Sequence, residues 1–374
     1  MFSENKNMKI LLNTWLKVLI NHEGTDLHIK SDAPVRARIK SAIKRIGKEK
    51  VPHEHIRELV KILMGDKYNT FEEIHQYDGT YDYSDAYRFR LNIYMHFGGY
   101  ALNFRLIPQT IKTIAELNLP PSLHKLAQLE RGLVLITGTT GSGKSTLLAS
   151  VLEEINTTKS KHIITIEDPI EYIYNDKKSI IEQRAVGFHT DSFSGALRAS
   201  LREDPDIIVV GEIRDLATAE SILQAVNTGH LVFSTVHTLD VKETIDRMIS
   251  IFPSEEQNRV RTTLASSLEA VVSQRLMKGS NNQMIPAVEV MFKSLLIQDL
   301  IRTNRDNEIT DIIAKDNQSI GSQTFNQSLF NLIIADKVSE EVAFQYATSV
   351  ADLKLMLSLS DQYNAKKEKN VTLK

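Results

Sequence analysis

The 374-residue sequence contains no cysteine. This excludes disulfides and thiolate metal sites, and it suits a reducing compartment. No apolar run approaches the roughly 20 residues that a helix needs to cross a bilayer. The first nine residues, Met1 to Lys9, are polar, unlike a signal peptide. Nor does either charge predominate, since 45 Lys plus Arg stand against 47 Asp plus Glu. No overall basic excess argues for a nucleic-acid or membrane surface. The expectation is a cytoplasmic protein with no transmembrane segment and no direct nucleic-acid contact. What remains is ordinary globular composition, 42% apolar and 25% charged, in a length that suits two or three domains.

Against that plain background one octapeptide stands out. Residues 138–145 satisfy G-x-x-x-x-G-K-S/T, the loop whose backbone N–H groups wrap the phosphates of a nucleoside triphosphate. The expected nucleotide-binding residues are Gly138, Thr139, Thr140, Gly141, Ser142, Gly143, Lys144, Ser145 and the adjacent Thr146. Lys144 is placed to reach the β- and γ-phosphates, and the Ser145 hydroxyl to ligate Mg²⁺. The flanks agree. Residues 132–137 form a short apolar run suited to a buried strand, and Leu147, Leu148, Val151, Leu152 and Ile155 recur at helical spacing. A strand, a Gly-rich turn and a helix N-terminus together favour an anion.

Residues 1–107 read as a separate α/β module. A short amphipathic helix spans 11–20, strands are expected at 24–29 and 35–39, and a helix at 53–64. Tyr87, Phe89, Leu91 and Ile93 alternate with Arg88, Arg90 and Asn92. Beyond the Gly98-Gly99 turn pair, Tyr100, Leu102, Phe104 and Leu106 alternate with Asn103 and Arg105. That is a hairpin with one apolar face and one bearing arginines, which by itself is also what a solvated sheet face looks like. Residues 108–122 read as a linker, and a second domain occupies 123–374. Strands are expected at 132–137, 162–166, 207–210 and 231–236, with helical patterns between several of them. This predicts an α/β fold with a parallel sheet and crossover helices. Asp215 is a plausible cap for a helix carrying Leu216, Ala219, Ile222, Leu223 and Val226, ending at Gly229. From about 255 the pattern is mostly helical, ending in a polar tail at 365–370 that is expected to be mobile.

Each strand of the second domain is followed by polar groups: the phosphate loop, then Glu167, Asp168 and Glu171, then Glu212 and Arg214, then His237. Ligands of open parallel sheets bind beyond the carboxyl ends of the strands, so these four sets are expected to converge. Hydrolysis of a γ-phosphate needs a positioned water, and Glu212 is the carboxylate expected to orient or deprotonate it. Gly211 stands where an Mg²⁺-holding Asp is common, which leaves Ser145, waters and Glu171 for the metal. His237 is a candidate to sense the γ-phosphate, and His230 precedes the same strand.

These segments together resemble the type IV pilus retraction ATPases (the PilT/PilU type) of the type II/type IV secretion ATPase superfamily. The resemblance rests on 138–145 (Walker A), 164–172 (Asp box), 201–215 (Walker B) and 228–238 (His box), with 24–29, 252–256 and 323–330 also familial. It implies a PAS-like N-terminal domain, a RecA-like C-terminal domain and a homohexamer with ATP and Mg²⁺ bound between the two domains. It also implies that Arg90 and Arg105, with Arg88 less central, close onto the phosphates. The site set so implied is Lys144, Glu171, Glu212, His237, Arg90 and Arg105. The implied function is ATP hydrolysis that powers pilus retraction and twitching motility. The work would be done at the inner face of the inner membrane, by peripheral association with a platform protein and a paralogous retraction ATPase. Absent cysteine and a short N-terminal region favour retraction over extension. Residues 296–303 match a late motif of retraction enzymes at Ile297, Leu300, Ile301 and Arg302, leaving principal and accessory motor both open. The same nucleotide site would also suit a secretion or DNA-uptake traffic ATPase, or an assembly factor that binds ATP without hydrolysing it.

Overall fold

The computed structural model describes residues 2–39, 42–84, 87–107, 110–281, 283–316 and 320–364, with side chains from Met8 onward. The expected mobile tail at 365–370 lies outside the described residues. The chain divides into two compact units, Met1–Thr110 and Ile111–Lys374.

In the first unit α1 (Phe2–Asn21) precedes β1 (Gly24–Lys30), β2 (Ala33–Ile39) and β3 (Ala42–Val51). Then come α2 (His53–Met64), α3 (Tyr68–Ile74), β4 (Gln76–Ser84), β5 (Tyr87–His96) and β6 (Gly99–Leu106). The six strands form an antiparallel sheet in the order β3-β2-β1-β6-β5-β4. Period-two alternation divides its faces. Leu27, Ile29, Phe89, Leu91, Ile93, Leu102 and Phe104 are buried in one core with Leu12, Leu16 and Leu19 of α1 and Ile56, Leu59 and Val60 of α2. Burying each such side chain contributes about 1.5–3 kcal/mol before chain entropy is counted. The opposite face keeps the polar partners of that alternation. The hairpin turn is made by Phe97 and Gly98, and Gly99 opens β6 with φ 114°. A Cβ there would lie 2.4 Å from His53 Nδ1, so only glycine fits.

The second unit is built on β7 (Gly132–Thr137), α4 (Lys144–Thr158), β8 (His162–Glu167), β9 (Ile180–Ala185), α5 (Phe193–Ser200), β10 (Ile207–Val210), α6 (Leu216–Asn227) and β11 (Leu231–Val236). There follow α7 (Val241–Ser250), α8 (Gln257–Ser267), β12 (Leu268–Lys278), β13 (Met284–Phe292) and α9 (Leu295–Arg302). The seven-stranded sheet runs β13-β12-β7-β11-β10-β8-β9, and only β13 is antiparallel to its neighbour. Strands β7, β10 and β11 are buried along their whole length, which is why apolar residues dominate each; Ser234 and Thr235 of β11 donate to the Val210 and Gly211 carbonyls. Successive residues serve opposite layers. Leu133, Leu135 and Ile164 pack with α5 to α9, whereas Val134, Ile136 and Ile163 pack with Leu147 and Val151 of α4.

Three expectations need correction. Residues 268–292 are not helical: β12 and β13 extend the sheet by two strands and make it mixed. Residues 111–120 are not a free linker, since Ile114 and Leu119 are buried with Leu123, Leu126 and α4. The first helix is longer than 11–20, beginning at Phe2.

Candidate active site

The order β7-β11-β10-β8 sets four strand ends side by side, and the polar groups beyond them gather as the sequence pattern predicts. The phosphate loop leaves β7 at Thr137 and turns through three positive-φ glycines, Gly138, Gly141 and Gly143. A Cβ on Gly138 would sit 2.5 Å from the Gln274 carbonyl and the Ser142 hydroxyl, and one on Gly143 would sit 2.5 Å from Gln274 Nε2. The loop is therefore braced from β12, and Gln274 Nε2 also donates to the Ser142 carbonyl at 2.7 Å. The Ser142 hydroxyl is buried with no hydrogen-bond partner among the described residues. Helix α4 starts at Lys144 with no side-chain cap, which leaves its first-turn N–H groups for an anion.

Lys144 is buried, and its Nζ donates to the carbonyls of Gly138 at 2.7 Å and Thr139 at 3.0 Å. Desolvation lowers its pKa, against the opposing influence of the Glu171 and Glu212 charges. A bound phosphate would supply the counter-charge that this buried ammonium lacks at close range. Thr139 and Thr140 are exposed at the loop's tip, and Ser145 is half-buried at the second position of α4. The Thr146 hydroxyl meets the Tyr172 hydroxyl at 2.8 Å, which ties α4 to the segment after β8. In that segment Glu167 accepts from the Thr165 hydroxyl at 2.7 Å, Gln183 Nε2 at 3.2 Å and the Glu171 backbone N–H at 3.3 Å. Desolvation raises the Glu167 pKa despite these bonds.

Glu212 follows β10. Its backbone is clamped because Gly211 N donates to the Ile166 carbonyl at 2.7 Å and the Thr235 hydroxyl donates to the Gly211 carbonyl at 2.6 Å. The Glu212 side chain is 14% exposed and lies 3.3 Å from His237 Nε2. It also pairs with Arg214, whose other amine is 3.4 Å from Asp168. The Glu212 hydrogen bond raises the Arg214 pKa further. A chain Asp168–Arg214–Glu212–His237 thus links the ends of β8, β10 and β11. His230 stands apart from it. Its Nδ1 lies 3.0 Å from the Ala225 carbonyl and 3.0 Å from the Thr228 hydroxyl, and it serves the end of α6.

The remaining expected site residues sit on the first unit. Arg105 of β6 pairs across strands with Arg90 of β5. Arg105 Nε donates to Asp26 at 2.7 Å, Arg90 lies 3.6 Å from Asp78, and Arg88 is bonded to Asp82.

With this geometry in hand, comparison with known proteins is decisive on family. The family model described as Type II/IV secretion system protein matches residues 3–328. The chain belongs to that family. Among its relatives is the type IV pilus retractation ATPase PilT of Pseudomonas aeruginosa, 40% identical over 325 residues that span 87% of this chain and 94% of the relative. The type IV pilus ATPase PilU of the same organism is 34% identical over 94% of this chain and 92% of its own length. A crystal structure of the pilus retraction motor PilT with bound ADP superposes with a TM-score of 0.84 at 38% identity, covering 91% of this chain and 97% of that one. The α/β fold with an N-terminal unit and an ATPase unit is that of the secretion ATPase family. No helix among the described residues is long and apolar enough to cross a membrane.

Arg214 stands among the strand-end groups expected to converge, and its pairing with Glu212 is local, whereas the meeting of Glu212 with His237 needs β10 and β11 to be neighbours. Two contributors are not evident from sequence. Gln274 lies in a stretch whose pattern predicts helix. Gln183 is on β9, an edge strand too polar to be recognised.

Proposed function

We propose that this member of the secretion ATPase family hydrolyses ATP to power type IV pilus retraction and twitching motility. The observation that carries the reading is Glu212, held by Arg214 and beside His237 at the end of β10, within electrostatic reach of the Lys144 of the phosphate loop. A module that only bound nucleotide would have no use for a carboxylate so placed.

In this reading residues 138–146 cradle the phosphates through backbone N–H groups, with the Lys144 ammonium exchanging its loop carbonyls for phosphate oxygens. Glu212 orients and deprotonates the attacking water, and Arg214 and His237 hold the carboxylate in place. Among the described residues no three His, Asp or Glu side chains gather as a metal site. The chemistry fits Mg²⁺ held by the Ser145 hydroxyl together with nucleotide oxygens and water, with Glu171 near the same loop. When bound there, Mg²⁺ would neutralise phosphate charge. Arg90 and Arg105 supply positive charge to the γ-phosphoryl from the first unit, so turnover requires the two units to close.

The working form is a homohexamer, cytoplasmic and peripheral at the inner face of the inner membrane. It acts through a platform protein and alongside a paralogous retraction ATPase. An accessory role of the PilU kind is the second reading, supported by the full-length match to that protein. Steady-state phosphate release by the purified protein tests the chemistry. It should require Mg²⁺ and fall by about 100-fold or more in Lys144→Ala and Glu212→Gln. A Glu212→Gln protein that turns over at the wild-type rate removes Glu212 from its role. A deletion strain tests direction: excess surface pili without twitching marks retraction, bald cells mark extension, and unchanged retraction marks a secretion motor.

A further inference from the structure

The polar face of the first unit is ordered in cross-strand rows. One row sets Arg38, Asp26, Arg105 and Arg90 side by side on β2, β1, β6 and β5. The next contains His28 and Asn103, whose side chains meet at 2.9 Å. A cavity of about 370 Å³ opens over Asp26, Arg105, Arg90, His28 and Asn103, with Asp78 of β4 on its wall. Three arginines share the first row with a single carboxylate, and that carboxylate is nearly inaccessible. Asp26 is 7% exposed.

Its two oxygens are used differently. Oδ2 accepts from the Thr25 hydroxyl at 2.7 Å and lies 3.7 Å from Arg38 Nε. Thr25 falls at a break in the β1–β2 register, between Gly24 and Asp26. Such an irregularity is a common device for re-aiming a side chain. Oδ1 accepts from Arg105 Nε at 2.7 Å. Burial by itself would raise the Asp26 pKa, but the hydrogen bonds from Thr25 and Arg105 and the Arg105 charge bring it below the usual value. The carboxylate is therefore ionised and fixed.

Grip through Nε matters because a guanidinium is a planar fork with five N–H donors. With Nε tied to Asp26, the two terminal amino groups are left without a hydrogen-bond partner among the described residues. The Arg105 side chain is 67% exposed although its partner's is 10%. Engagement of the fork through two parallel donors is a frequent geometry of arginine–carboxylate pairs. Here the anchored end is buried and the donating end is presented.

We propose that Asp26 is a positioning residue that holds Arg105 by Nε, so that the two terminal amines meet a pair of phosphate oxygens of the bound nucleoside triphosphate. This rests on the reading that Arg105 reaches the nucleotide. Asp26 itself touches no substrate; it removes the rotamer freedom that Arg105 would otherwise lose in the transition state.

Steady-state ATPase kinetics on full-length Arg105→Ala, Asp26→Asn, the double variant and Arg105→Lys test this. Arg105→Ala should lower kcat about 100-fold or more. Asp26→Asn should lower kcat about 10-fold or more with KM changed less than about 3-fold, and the double variant should be no slower than Arg105→Ala alone. Arg105→Lys keeps the charge but has a single nitrogen, which Asp26 engages, so it should be as slow as Arg105→Ala. Arg105→Ala at the wild-type rate would defeat the underlying reading of the arginine. A slow Arg105→Ala with Asp26→Asn at full rate would overturn the positioning role alone. So would an Asp26→Asn loss that multiplies with Arg105→Ala, since that marks a merely structural carboxylate. Arg105→Lys leaves Asp26 and its packing intact, so a near-wild-type kcat there overturns the inference even if Asp26→Asn fails to fold.

Discussion

A single carboxyl shows how far a residue's chemistry depends on partners distant in sequence. Glu289 of β13 is 5% exposed, and its Oε2 accepts from the backbone N–H of Val241 at 2.8 Å. It thereby caps the first turn of α7, the helix that begins just after His237 and Asp240. Desolvation pushes its pKa from 4.5 up to about 7, helped by Asp240 and opposed by the Val241 bond and the Arg275 charge. The folded-state value lies above the unfolded one. Below pH 4.5 both states are protonated; between 4.5 and 7 only the folded state holds the proton, so stability falls as pH rises and levels off above 7. At about 1.4 kcal/mol per unit this amounts to roughly 3 kcal/mol. Urea unfolding between pH 5 and 8 should show the wild type losing stability that Glu289→Gln keeps, because the amide still accepts from Val241. Parallel pH profiles would mean that Glu289 is ionised throughout. Nothing in the sequence distinguishes this glutamate from a surface one. Lys144, Ser145 and Glu212 were legible because a glycine pattern or a strand end marks each of them.

The same contrast holds for elements. Strands β7, β8, β10 and β11 were legible because a parallel strand covered on both faces needs an apolar run, and turns or polar ends bound each of them. Strand β12 is buried continuously over residues 270–274, yet Ser273, Gln274 and Arg275 break its apolar pattern, and α8 runs straight into it. Periodicity alone does not separate such a stretch from a buried helix. What the interruptions do is visible only in place: Ser273 accepts from the Thr137 hydroxyl at 2.8 Å, and Gln274 braces the phosphate loop. Helix α9, with Ile297, Leu300 and Ile301 buried, is locked to α8 by a similar device. Arg261 Nη1 donates to the Ile301 carbonyl at 2.9 Å and to Asp306 at 2.6 Å, with the two side chains 11% and 5% exposed. Burial raises the Asp306 pKa even with Arg261 beside it. Removing one partner strands a buried charge, so Arg261→Ala should cost about 3–5 kcal/mol in denaturant unfolding. Arg261→Met with Asp306→Leu should recover most of it. An Arg261→Ala loss under about 1 kcal/mol would show the pair to be solvent-screened.

At the scale of the whole molecule, two units with separate cores serve one proposed reaction. The division between a strand-rich module and a phosphate-loop module was legible in the sequence, since the alternating hairpin and the apolar parallel strands are different patterns. How the arginines act was not. Arg90 and Arg105 lie on a sheet whose alternation is satisfied whether or not that face meets a ligand. Two cores imply that unfolding is not two-state, and that calorimetry resolves a transition for each unit. A ligand bound only to the phosphate loop stabilises only the larger unit, by about 2.7 kcal/mol at a free concentration of 100 times its Kd. If the arginines of the smaller unit also hold the γ-phosphate, a non-hydrolysable ATP analogue has to raise both transitions, because unfolding either unit then releases bound contacts. ADP, which lacks that phosphate, should raise chiefly the larger unit's transition. With Arg90→Ala and Arg105→Ala combined, the analogue should behave like ADP. An analogue that shifts one transition in the wild type, with Glu212→Gln still inactive, would place the whole of catalysis on the larger unit and leave the arginine face to another partner.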